Sequence, residues 1–356
     1  MESLLKSRNI PNFFKKDGTL MSLDAWQAHK DELLELFLDE EYGHLPKRLT
    51  PSVTTEAQGV DFAGKARWES VFFTFENEGK SHTVRTELIL PKNKTDIPVF
   101  LYISFSPDVP NKYLPMEEII DNGFGVMTFY YQNVTTDDGD YSNGLYGLFS
   151  DNGKRCEFGK ISLWAYMASA CMDYLEARSE VDSSSVAVAG HSRLGKTAIL
   201  TSALDNRFIL TCSNNSGCCG AAISREKTDK NESIEDITRV FPWWFSEKFL
   251  KYVSNEDALP FDQHMLLALI APRYLMVGGA LEDVWADNEG QLLSCRLASY
   301  AWTLYGKNGF VDNGTDTCID GEVCFHIREG THFMSRYDWN VYMKKFKQIL
   351  GDNYER

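Results

Sequence analysis

The chain has 356 residues, 43% of them hydrophobic, 13% aromatic and 24% charged, with a formal net charge of −15. That length and apolar content support one large core, while the acidic balance and the lack of any Lys/Arg stripe exclude a surface that tracks nucleic-acid phosphates. No apolar run reaches the ~18 residues of a membrane span, and the start MESLLKSRNIPNFF has neither the basic lead nor the apolar stretch of a signal peptide, so no membrane partner is expected.

In chain order, residues 22–43 carry apolar positions at helical spacing behind Ser22, whose side chain can accept from first-turn amides. RWESVFFTFENEG and SHTVRTELILPKN, alternating around Glu78-Gly79-Lys80, predict an antiparallel hairpin at a sheet edge. Short apolar strands then alternate with helices: IPVFLYISF (97–105), GFGVMTFYY (123–131), SVAVAG (185–190), RFILTCSN (207–214), RYLMVGGA (273–280) and EVCFHIR (322–328). Strands apolar on both faces belong in a parallel sheet covered by helices, so the expected class is α/β, one domain over 1–356. Helices are expected over 161–178, after Lys196, over 292–306 and at NVYMKKFKQILG, with an insertion at about 226–260 over the sheet's carboxyl edge. Of the eight cysteines, Cys218 and Cys219 are adjacent, and Cys156, Cys171, Cys212 and Cys295 fall in segments that read as helix or buried strand. Only Cys318 and Cys324, across a turn, are spaced for a local bridge, and none has zinc-ligand spacing.

VAVAGHSRLGKTAIL sets Ser192 between a buried strand and a helix, where a turn exposes a hydroxyl beside the helix's first amides. The familiar elbow is Gly-x-Ser-x-Gly; here the second small position is Leu194 and the glycine falls one later, at Gly195. A bare helix-capping serine is the competing reading. A serine hydrolase of this kind orders its triad serine, acid, histidine. His332, in REGTHFMSRYDW, follows the final strand, whereas His326 inside that strand and His264 read as structural. Glu282 and Asp283 follow RYLMVGGA, and from the residues alone either can be the acid, since adjacent side chains point apart and only one can reach the ring.

GHSRLGKT, NNSGCCGAAISR, FPWWF, LPFDQHMLLALIAPR, the DVWAD stretch and GTHFMSRYDW together resemble the glucuronoyl esterases, carbohydrate esterase family 15, over residues 20–350. The resemblance implies an α/β-hydrolase fold and a serine esterase acting on (4-O-methyl-)glucuronic acid esters, such as those joining glucuronoxylan fragments to lignin alcohols. It implies Ser192 as nucleophile, His332 as base, and Arg193 at the oxyanion through its amide and guanidinium. It also implies contacts to the sugar from Lys196 and Trp285, whose bland readings are a surface ion pair and a core aromatic. Many members carry a glutamate where this chain has Asn215, and an amide cannot balance an imidazolium. The acid then comes from the later pair, the acid-x-Trp spacing favouring Asp283 over Glu282. No metal or cofactor is implied; a secreted monomer is expected from the substrate. The rivals are an acetyl-xylan or feruloyl esterase, and a silent carbohydrate-binding homologue in which neither acid reaches His332.

Overall fold

The computed structural model describes residues 9–12, 15–16 and 19–351, so most of the segment read for a leader lies outside the described residues. Among the described residues there are twelve strands, β1 to β12 in chain order. The first two, β1 (Lys15–Lys16) and β2 (Thr19–Leu20), form a separate antiparallel pair. The rest make one sheet: β3 (Ser52–Asp61), β4 (Ala66–Asn77), β5 (Lys80–Pro91), β6 (Ile97–Ser104), β7 (Gly125–Tyr130), β8 (Val181–His191), β9 (Leu210–Asn214), β10 (Tyr274–Ala280), β11 (Thr317–Cys318) and β12 (Val323–Arg328). Their spatial order is β11-β12-β10-β9-β8-β6-β7-β5-β4-β3. The run from β7 to β12 is parallel, and both flanks are antiparallel.

Why the central strands are apolar throughout is visible in β6. Val99, Leu101 and Ile103 join one core cluster, and Phe100 and Tyr102 join another on the opposite face. A strand feeding two cores leaves no polar side. The first core takes in the helices Leu23–Phe37, Lys160–Glu176 and Arg193–Leu204; the second takes in Met116–Asp121 and the terminal helix Arg336–Leu350. A parallel sheet with helices on both faces and this strand order is the α/β-hydrolase fold.

Several expectations need correcting. The hairpin forms, with Glu78 and Gly79 both at positive φ as a two-residue turn requires, but it does not lie at the edge. β3 pairs outside it, and all ten of its residues are exposed, so no apolar alternation announces it. The terminal helix starts at Arg336 rather than Asn340, behind a capping box in which Ser335 and Asp338 satisfy each other's amides. The expected helix over 292–306 is two helices, Asn288–Ala298 and Tyr300–Leu304. Cys156 is half-buried in a loop. Cys318 and Cys324 are both free. Cys318 sits opposite Phe325 in the antiparallel register, so Cys324, one residue away, turns its thiol to the other face of the sheet. No helix among the described residues is long and apolar enough to cross a membrane.

Candidate active site

The carboxyl ends of β8, β9, β10 and β12 lie side by side along one edge of the sheet. At the end of β8 the chain reverses sharply through Ser192, with φ 55° and ψ −126°, before the helix Arg193–Leu204. Such backbone costs about 1–3 kcal/mol and lifts the hydroxyl clear of the sheet. Gly190 is obligatory here, because a Cβ would stand 2.1 Å from the Leu194 carbonyl oxygen. The displaced glycine of the motif also finds its reason. Leu194 is buried in the core, and it is Gly195 that runs close past Asn214 and Ser216, where a Cβ would come within 3.1 Å of each.

From Ser192 a chain of short contacts runs across the strand ends. The Ser192 amide donates to the Asn214 carbonyl (2.8 Å), and the Asn215 amide donates to that of Gly278 (2.7 Å). The Asn215 side-chain amide donates to Asp283 Oδ2 (2.5 Å), and His332 Nδ1 lies 2.6 Å from the same oxygen. Backbone bonds from Leu281 to Arg328 (2.8 Å) and from Glu282 to Gly330 (3.0 Å) tie the acid loop to the histidine loop. Of the two candidate acids, Asp283 is buried against the ring and Glu282 is exposed. Burial pushes the Asp283 carboxyl up, yet the His332 and Asn215 hydrogen bonds and the ring's charge outweigh it, so the net shift is downward. The silent-homologue rival required that neither acid reach His332, and the 2.6 Å contact removes that premise.

His191 supports the histidine side. Its ring centroid is 4.5 Å from that of His332, and its Nδ1 bonds Asn214 Oδ1 at 2.7 Å. Burial, with the neighbouring His332 charge, pushes His191 down to about 3, so it adds no second cation beside the base.

Around Arg193 the structure assembles a box that the sequence does not disclose. The guanidinium pairs through Nη1 with Asp137, 56 residues upstream, and lies 4.7 Å from the Trp244 ring centroid and 4.8 Å from that of Phe241. Asp137 also accepts from Trp243 Nε1 (2.8 Å), Trp244 Nε1 (2.6 Å) and the Tyr131 hydroxyl (3.1 Å). The Arg193 Nε–H is buried with no partner. The loop that carries Asp137 is itself clamped by Lys160, whose buried ammonium donates to the carbonyls of Thr136 (2.6 Å) and Asp140 (2.8 Å). FPWWF was among the resembling motifs without a stated role; Asp137, in TTDDGD, carried no signal.

Lys196 is neither exposed nor free to form an open positive island with Arg193. Its ammonium donates to the carbonyls of Ser216 and Cys218, each at 2.5 Å, with Glu232 at 3.8 Å. Trp285 is no core aromatic; it is 47% exposed, beside Val284, and its carbonyl accepts the Glu232 amide at 3.0 Å. His264 is buried, and His326 is sealed against Asp338 at 2.8 Å. Among the described residues no group of three His, Cys, Asp or Glu side chains gathers as metal ligands do.

An α/β sheet with a strained serine elbow, and a histidine–aspartate pair from the last strands, defines a hydrolase of the α/β-hydrolase class. Comparison with known proteins carries this further. The family of fungal glucuronyl esterases matches residues 73–306. Carbohydrate esterase MZ0003, from an unknown prokaryotic organism, is 32% identical over 92% of this chain and 86% of its own. The 4-O-methyl-glucuronoyl methylesterase of Schizophyllum commune is 28% identical over 85% and 74%. Among solved structures, a glucuronoyl esterase from Solibacter usitatus superposes with a TM-score of 0.86 at 32% identity, over 96% of this chain and 98% of that one. A promiscuous CE15 esterase from a marine bacterial metagenome gives 0.84 at 30%, over 95% and 96%. The chain belongs to the glucuronyl esterase family and is a carboxylic-ester hydrolase.

Proposed function

We propose that the protein hydrolyses esters of (4-O-methyl-)glucuronic acid, with Ser192 as nucleophile, His332 as base and Asp283 as the acid that orients it. The observation that carries this reading is the 2.6 Å contact between His332 and Asp283 across the strand ends from Ser192, in a chain of this family. His332 Nε2 takes the Ser192 proton as Oγ attacks the uronate carbonyl. The tetrahedral oxyanion is met by the Arg193 amide and its unspent Nε–H, and collapse expels the alcohol with the proton from His332. Water then repeats the sequence on the acyl-enzyme and frees the glucuronate. Trp285 offers a flat face on the acyl side. Lys196 meets the sugar only at the margin left by Ser216 and Cys218, so its larger work is to hold that loop.

This reading carries with it a single catalytic unit, with the 226–260 segment over the cleft, acting as a secreted monomer on plant-wall carbohydrate. The structural relative described as promiscuous favours a wider range of esters, for which acetyl or feruloyl esters of carbohydrates are the second reading. The test is release of free acid from benzyl glucuronate and methyl 4-O-methyl-glucuronate, beside acetylated xylan and 4-nitrophenyl acetate, by wild type and Ser192→Ala. Glucuronate hydrolysis that vanishes in Ser192→Ala is expected; activity confined to the acetylated substrates sinks the glucuronoyl assignment.

A further inference from the structure

Outside the Ser192–His332 cleft, a cavity of about 410 Å³ opens where β4, β5 and β7 meet the loop after β6. That is within the size range of small-ligand sites. Its wall includes Trp68, Arg85, Glu87, Thr128, Tyr130 and Ser106. Three of these residues are locked together. Glu87, buried, accepts from Trp68 Nε1 (2.6 Å) and Arg85 Nε (2.6 Å), and also from Ser70 Oγ (2.9 Å). The sheet register then puts Thr128 directly across from Glu87, and its buried hydroxyl has no partner. The indole is therefore held in a fixed orientation by its own N–H, and fixed polar groups stand around it.

The charges decide what such a wall accepts. Arg85 and Glu87 neutralise one another at 2.6 Å, and Asp108 adds a negative charge to the lining, so nothing there draws an anion. A rigid indole with ordered donors and acceptors suits a ligand with one apolar face and several hydroxyls, which describes a neutral pyranose ring. The cavity's lining also adjoins, along the chain, two residues of the Arg193 surroundings. Ser106 follows Phe105, whose ring lies 5.6 Å from the Arg193 guanidinium, and Tyr130 precedes Tyr131, which donates to Asp137.

We propose that this cavity is a second carbohydrate subsite, taking a neutral pyranose residue of the glycan that carries the ester. The neutral-sugar site stands on the cavity's own chemistry; its link to the ester rests on the glucuronoyl esterase reading above. The probes are β-1,4-linked xylotriose and cellotriose, titrated into the full chain carrying Ser192→Ala by calorimetry and ligand-observed NMR. Binding of at least one is expected, weakened tenfold or more by adding Trp68→Ala and several-fold by Arg85→Gln, with free glucuronic acid not competing. Trp68→Phe, which keeps one flat ring and loses the second ring with its N–H, serves if Trp68→Ala does not fold, and is expected to weaken binding several-fold. Absence of trisaccharide binding, or binding insensitive to these variants, overturns the subsite. In the otherwise wild-type chain, Trp68→Ala is expected to lower about tenfold the ratio of kcat/KM on an oligosaccharide-borne glucuronate ester to kcat/KM on benzyl glucuronate; an unchanged ratio overturns the link to the ester. Glucuronate hydrolysis without trisaccharide binding removes the subsite and keeps the esterase. Trp68-dependent binding in a protein that cleaves no glucuronate ester does the reverse.

Discussion

Two histidine–aspartate pairs take their histidines from β12 and from the loop that follows it, and their surroundings are opposite. His332 bonds Asp283 at 2.6 Å with its ring 46% exposed at the mouth of the cleft. His326 bonds Asp338 at 2.8 Å with both side chains wholly buried, and Arg328 adds a second contact at 2.8 Å. The residue types are the same and the distances differ by 0.2 Å, although His332 bonds through Nδ1 and His326 through Nε2. What separates them is their surroundings: His332 follows the last strand, beside the His191 ring and partly open to solvent, while His326 is inside β12, so close to Gly278 that a Cβ there would stand 2.6 Å from its Cε1. A histidine–carboxylate pair is therefore no mark of catalysis by itself; inside β12 it fastens the terminal helix, whose capping box uses the same Asp338.

The sharpest way to break this contrast is to remove each pair in turn. Ser192→Ala and His332→Ala should each lower kcat by about 10⁴–10⁶ while the thermal midpoint stays near wild type. Asp283→Asn should cost about 10³–10⁴ in kcat, because an amide favours the wrong tautomer of His332. Asp338→Asn should instead leave kcat within a few-fold and lower unfolding stability by roughly 3 kcal/mol, as breaking one partner of a buried pair does. Folded Asp338→Asn protein as inactive as Asp283→Asn would abolish the distinction. A smaller effect follows from acid. Burial pushes the Asp338 carboxyl up, but His326, the Ser335 amide and Arg328 bring it down to about 2, below its ordinary 3.8. A depressed carboxyl stabilises the fold above the ordinary value and releases that contribution, about 2 kcal/mol, as pH falls from about 4 towards 2. In denaturant titrations the acid-induced loss should be smaller in Asp338→Asn than in wild type by about that amount. Smallest, Asn215→Ala removes one of the two hydrogen bonds on Asp283 Oδ2 and is expected to lower kcat about tenfold, with KM for benzyl glucuronate unchanged.

Much of this fold is legible in the sequence. The central strands feed two cores and so read as unbroken apolar runs, and the order of serine, acid and histidine follows from that strand order. The choice between Glu282 and Asp283 was not settled by the residues alone, since it depends on which neighbour turns inward at the end of β10. β3 left no trace because none of its side chains enters a core. The Arg193 box was hidden for another reason: its parts come from 56 residues before and about 50 after, and only the folded chain brings Asp137 and the FPWWF tryptophans to one guanidinium.

The Lys160 ammonium fills the centre of the loop that carries Asp137, in the manner of a bound cation, with two carbonyls as ligands and Asp138 at 3.4 Å. Burial lowers its affinity for the proton, against the pull of the surrounding acids. Because this cation is tethered to a helix, its local concentration is fixed by the fold and owes nothing to the medium. It can be neither diluted nor chelated away, so the place of Asp137, and of the Arg193 guanidinium paired with it, is set once, when the chain folds.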